Sequence, residues 1–141
     1  MTIRHNPLLF LLTAAALTAT SSAPAQAATG QLVNVSDGTI LTRGTVVSLQ
    51  VTYTCEAGTG AVANAHINVL QRVQGGNIAQ ASASSPTAEC TGEPQTFDLT
   101  LQAFERAFKK GAAQAGVTLT VCDPFTCEQP TYTQQIQLVA K

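Results

Sequence analysis

Side chains able to do chemistry are few in this sequence, and their spacing bears on three kinds of reaction. There are two histidines, His5 and His66. Only His66 lies beyond an apolar N-terminal stretch, so a nucleophilic triad or metal centre in the body of the chain would run through it. Four cysteines, Cys55, Cys90, Cys122 and Cys127, could hold zinc as thiolates. Only Cys122 and Cys127 approach the short spacing that zinc ligands need. Glu89 and Glu93 flank Cys90, and Asp123 and Glu128 flank the other cysteine pair. Paired carboxylates do glycosidase work, but these fall in turn-rich stretches, and the chain has no Trp to stack a sugar. G-x-S-x-G, H-E-x-x-H, the P-loop and the dinucleotide fingerprint are all missing. No catalytic, cofactor-binding or metal-ligating residue is assigned, and the chain reads as non-enzymatic.

The N-terminus carries the marks of export. Arg4 and His5 precede the apolar residues Leu8, Leu9, Phe10, Leu11 and Leu12, which continue through Ala14, Ala15, Ala16 and Leu17. Ala25-Gln26-Ala27 then supplies the small-x-small pattern read by signal peptidase. The apolar run is about half the roughly twenty residues that a membrane span needs. Residues 1–27 are therefore expected to be a signal peptide and 28–141 a single secreted domain, with no membrane attachment after cleavage. Without Arg4, the seven basic residues become six against eight acidic ones, a net charge of −2. That is too small to steer the domain toward nucleic acid.

In an oxidising compartment the four cysteines should form disulfides, and four allow three pairings. Alternation along strands chooses among them, because successive strand residues face opposite sides. In 45–55, Val47, Leu49, Val51, Tyr53 and Cys55 share one face, so Cys55 points into the core. In 116–122, Val117, Leu119 and Val121 form the apolar set and Cys122 faces outward. Asp123-Pro124-Phe125-Thr126 reads as a turn, Pro pre-setting its φ, which returns Cys127 opposite Cys122. The expected pairs are Cys122 with Cys127, closing a hairpin, and Cys55 with Cys90, tying the core. On loop entropy, the long ring is worth about 4 kcal/mol and the short one about 2 kcal/mol.

Further strands are expected at 65–73, 97–103 and 135–140, with a weaker one at 78–84 and a bent first strand at 31–41 broken by Asp37-Gly38. About seven strands predict an all-β fold, a two-sheet sandwich of immunoglobulin type, with a small β-barrel as the alternative. One segment departs from this rhythm. In 102–111, Phe104 and Phe108 are four apart, as are Glu105 and Lys109, and Gly111 follows. That spacing predicts a helical turn closing one end of the sandwich.

The strand Val51-Thr52-Tyr53-Thr54-Cys55, the later Glu89-Cys90-Thr91-Gly92, the segment Phe108-Lys109-Lys110-Gly111-Ala112 and Val121-Cys122-Asp123 closing at Cys127 together resemble a family of small secreted bacterial immunoglobulin-like domains. The resemblance covers most of 28–141. Asp98-Leu99-Thr100-Leu101 running into Phe104-Glu105-Arg106, with the 122–127 hairpin, is similar to the neocarzinostatin apoproteins, which carry a chromophore in a cleft. That family closes a short loop with its other disulfide, whereas Cys55 and Cys90 lie far apart, so its cleft residues do not transfer. The sequence thus implies a module that binds an extracellular protein, wall polymer or small molecule. The most structured candidate surface is the loop of Asp123, Pro124, Phe125 and Thr126. An inhibitor of an extracellular hydrolase would use such a loop. A chromoprotein-type carrier would instead need a concave apolar cleft of several hundred Å³.

Overall fold

A computed structural model of the chain describes residues 29–141; the expected signal peptide, 1–27, lies outside them. Ten strands follow in order: β1 (Gly30–Val35), β2 (Gly38–Leu41), β3 (Val46–Cys55), β4 (Val62–Arg72), β5 (Ile78–Ser84), β6 (Ala88–Glu89), β7 (Gln95–Ala103), β8 (Gly111–Cys122), β9 (Cys127–Glu128) and β10 (Thr131–Ala140). The fold is all-β with two disulfides. Seven strands form a closed hydrogen-bonded ring, β4-β5-β7-β3-β2-β10-β8, which returns to β4. The closed ring is the barrel that strand alternation left open. β1 pairs with the C-terminal half of β3, while β6 and β9 extend β4 and β8.

The ring is uneven. β3 and β7 pair along their length, from Val46 opposite Gln102 to Tyr53 opposite Gln95. β4 pairs as extensively with β8, and β8 with β10. The two seams between these faces are short. β5 meets β7 only where Ala81 and Ser82 oppose Ala103 and Gln102. β10 meets β2 in parallel, Leu138, Val139 and Ala140 facing Gly38, Thr39 and Ile40.

Period-2 alternation sets the core. Val47, Leu49, Val51 and Tyr53 of β3 and Phe97, Leu99 and Leu101 of β7 are buried. So are Ile67 and Val69 of β4, Val117, Leu119 and Val121 of β8, and Ile136 and Leu138 of β10. Each of the larger ones contributes roughly 1.5–3 kcal/mol by leaving water. The Tyr53 and Phe97 rings stack with centroids 4.8 Å apart.

Two glutamine side chains act as pieces of backbone. Gln134 of β10 accepts from the Val35 amide at 3.0 Å and donates to the Val35 carbonyl at 2.8 Å, fastening β1 to β10 by a side chain. Gln71 does the same at the other end of the molecule, and it explains why the expected helical turn at 102–111 is absent. There β7 runs to Ala103, the chain bends at Phe104, Glu105 and Arg106, and β8 begins at Gly111. Amide donors in this crossing go elsewhere than four residues back. Ala103 donates to the Thr45 carbonyl, Phe104 to Gln80 and Phe108 to Gly44, while Lys109 donates to Gln71 Oε1. Tertiary partners outbid a local pattern of the right spacing. Phe104 is left 63% exposed while Phe108, only 2% exposed, closes that end of the core.

Candidate functional site

The loop of Asp123, Pro124, Phe125 and Thr126 sits between β8 and β9, whose last and first residues, Cys122 and Cys127, face each other and are disulfide-bonded. Inside this ring the Asp123 amide donates to the Thr126 carbonyl at 2.9 Å. The Asp123 carboxylate accepts from the amides of Phe125 at 2.7 Å and Thr126 at 2.8 Å. The Thr126 hydroxyl donates to its second oxygen at 3.3 Å. A short acidic side chain turning back on its own backbone is a recurring turn device. Pro124 is backed by the β3–β4 connection, where a Cβ added at Gly60 (φ +73°) would come within 3.1 Å of it. The loop is thus fixed at its base, across its middle and from one side. Phe125 does not fold back onto the sheet: it is 90% exposed.

Cys55 is buried at the end of β3 and bonded to Cys90, beside the turn that leads into β7. That bridge brings the Thr91–Pro94 connection to the same end of the barrel as the 122–127 loop. Five of the eight carboxylates lie at strand ends and connections of this end, while Asp98 lies within β7 and Asp37 and Glu105 lie elsewhere. Glu56 lies just after β3, Glu89 pairs opposite Val62 at the start of β4, Glu93 lies before β7, and Glu128 pairs opposite Val121. With Asp123 they bring negative charge to this end of the barrel. The basic residues go the other way: Arg43, Arg72, Arg106, Lys109, Lys110 and Lys141 all lie on connections or strand ends at the opposite pole. Sequence reasoning did not reveal this separation, since a net charge of −2 sums over both poles.

The other residues weighed from the sequence are apart from the loop. His66 is exposed on the outer face of β4, opposite Ser84 in the ladder, with Ser84 Oγ 3.0 Å from its Nδ1. No third side chain among the described residues hydrogen-bonds this pair. Among the described residues, no cluster of three His, Cys, Asp or Glu could hold a metal ion. No described helix is long and apolar enough to cross a membrane. Open grooves of about 430 and 480 Å³ flank the barrel, the first over Leu70, Ile78 and Ala112, the second beside Tyr132 and Glu56. Gln71 had left one trace in the sequence: an amide at an inward position of β4, where the apolar alternation falters. It is 4% exposed. No protein-family model matches the chain, and no curated protein matches it.

Proposed function

We propose that this chain is a secreted, non-enzymatic module that docks a protein partner through Phe125. The observation that carries this reading is the 90% exposed aromatic ring on a loop immobilised by a disulfide and four internal hydrogen bonds. A preorganised loop loses little entropy on association, and aromatic side chains are frequent anchors of protein interfaces. The negative charge that Glu56, Glu89, Glu93, Asp123 and Glu128 bring to this end of the barrel favours a partner whose apolar pocket is rimmed by basic groups. An extracellular hydrolase with such a pocket would be inhibited by this loop, so inhibition is one form the activity could take. The chromoprotein-type carrier is less favoured, because buried side chains fill the interior of the barrel and the two grooves described above are open to its surface.

The test is native mass spectrometry of the chain recovered from culture medium of its own host, beside Phe125→Ala. A protein complex held by the native chain and lost in the variant supports the reading. Equal complex formation by both removes Phe125 as the anchor, and a bound small molecule in place of a protein would favour the carrier.

A further inference from the structure

The basic pole is itself a built surface, independent of the Phe125 loop. Between β2 and β3 the chain turns through Thr42, Arg43 and Gly44, and all three take positive φ: 46°, 58° and 92°. A Thr in that region is uncommon, and three in succession hold the Arg43 side chain at the rim of the barrel end. The 108–110 crossing packs directly against this turn. The Phe108 amide donates to the Gly44 carbonyl at 2.8 Å, and a Cβ at Gly44 would collide with the Phe108 carbonyl oxygen. Gln71 then clamps Lys109 by both its amide and its carbonyl. Between these two fixed segments lies a pocket of about 370 Å³ lined by Arg43, Lys109, Lys110 and Lys141, with Ile40 and Phe108 as its apolar wall.

None of the eight Asp and Glu side chains lines that pocket. Glu105, the acidic residue nearest in sequence, lines a different groove with Ile78 and Phe104. No hydrogen bond or ion pair occupies the Arg43, Lys109 or Lys110 side chains among the described residues. Like charges held together repel one another, and a bound anion would relieve that repulsion. The geometry points to phosphate. A guanidinium fork and two ammonium groups approaching from separate segments suit a tetrahedral oxyanion better than a planar carboxylate. Arg72 and Arg106 continue the positive charge at this pole beyond the pocket, which fits negative charge repeated along a chain. We propose that this pole binds a phosphodiester polymer, with one repeat seated between Arg43, Lys109 and Lys110.

The test uses the full chain with poly(glycerol phosphate) as probe, beside inorganic phosphate and poly-glutamate. Binding to poly(glycerol phosphate) should be measurable at about 50 mM salt and fall roughly 50-fold by about 200 mM if four phosphates are contacted. Lys109→Gln with Lys110→Gln, both exposed and away from the core, should weaken it about tenfold or more at unchanged melting temperature, and Phe125→Ala should leave it unaltered. No binding at low salt, unchanged affinity in the lysine variant or weakening by Phe125→Ala would each overturn the proposal. Equal affinity for poly-glutamate would overturn the phosphate assignment, and equal affinity for inorganic phosphate would overturn the polymer.

Discussion

Gln71 and Lys109 are joined twice: the Lys109 amide donates to Gln71 Oε1 at 2.8 Å, and Gln71 Nε2 donates to the Lys109 carbonyl at 2.7 Å. The same Nε2 reaches the Ala112 carbonyl at 3.3 Å. A side-chain amide thereby replaces the ladder that β8 has not yet begun. Gln71→Leu keeps the apolar fit but strands those backbone groups, and unfolding in urea should show a loss of about 2 kcal/mol. Gln71→Glu keeps the acceptor for Lys109 N–H and loses the donor, so it should fall between the two.

Arg43 and Gly44 separate backbone strain from charge. Gly44→Ala would place a methyl against the Phe108 carbonyl at a φ of +92°, and it should cost about 2 kcal/mol or more in urea unfolding. Arg43→Gly relieves a left-handed residue at φ 58° and should raise stability by up to about 1 kcal/mol. The same variant should weaken phosphopolymer binding.

The disulfides should differ in their worth. Replacing Cys55 and Cys90 by Ala opens a ring with a sequence separation of 35 and should cost about 4 kcal/mol. Replacing Cys122 and Cys127 opens one with a separation of 5 and should cost about 2 kcal/mol. Urea midpoints at constant slope would check the order. The short bridge should matter far more to partner affinity than to folding, since it fixes the base of the Phe125 loop.

Tyr53 carries a buried hydroxyl that makes no hydrogen bond among the described residues. Burial raises its pKa above the ordinary value of 10.0. The folded state therefore holds this proton more tightly than the unfolded chain does. Stability from this group is complete below pH 10 and declines as pH rises past it, because the unfolded chain then ionises first. Tyr53→Phe should gain about 1 kcal/mol at neutral pH by removing an unpartnered polar group. It should also flatten the alkaline limb of a stability–pH curve measured by urea unfolding.

Strand faces were legible in the sequence because burial imposes a period of two that few residues interrupt. Val47 to Cys55 and Val117 to Val121 announce their inward sides, and the two disulfides present in the structure join like face to like. Closure of the ring was not legible. It depends on seams such as Ala81 and Ser82 against Ala103 and Gln102, too short to leave a pattern. The crossing at Phe104 to Lys109 was misread because a spacing of four suits a helix. Its actual partners, Gly44 and Gln71, are distant in sequence. Of the candidate loop, the turn and its ring closure could be read, but whether Phe125 faced solvent could not, since one aromatic in a turn carries no alternation.

The parallel seam between β2 and β10 has a consequence for how the molecule comes into being. Gly38, Thr39 and Ile40 wait for Leu138, Val139 and Ala140, and the Asp37 carboxylate receives the Gln137 amide across 100 residues of sequence. The ring therefore stays open until the last strand has been delivered, however early the other strands meet. Such non-local pairing folds slowly, because the entropy of a long loop is lost before its contacts form. A chain emerging N-terminus first from a ribosome or a translocation pore would remain threadable until β10 has emerged, then close in a single late event.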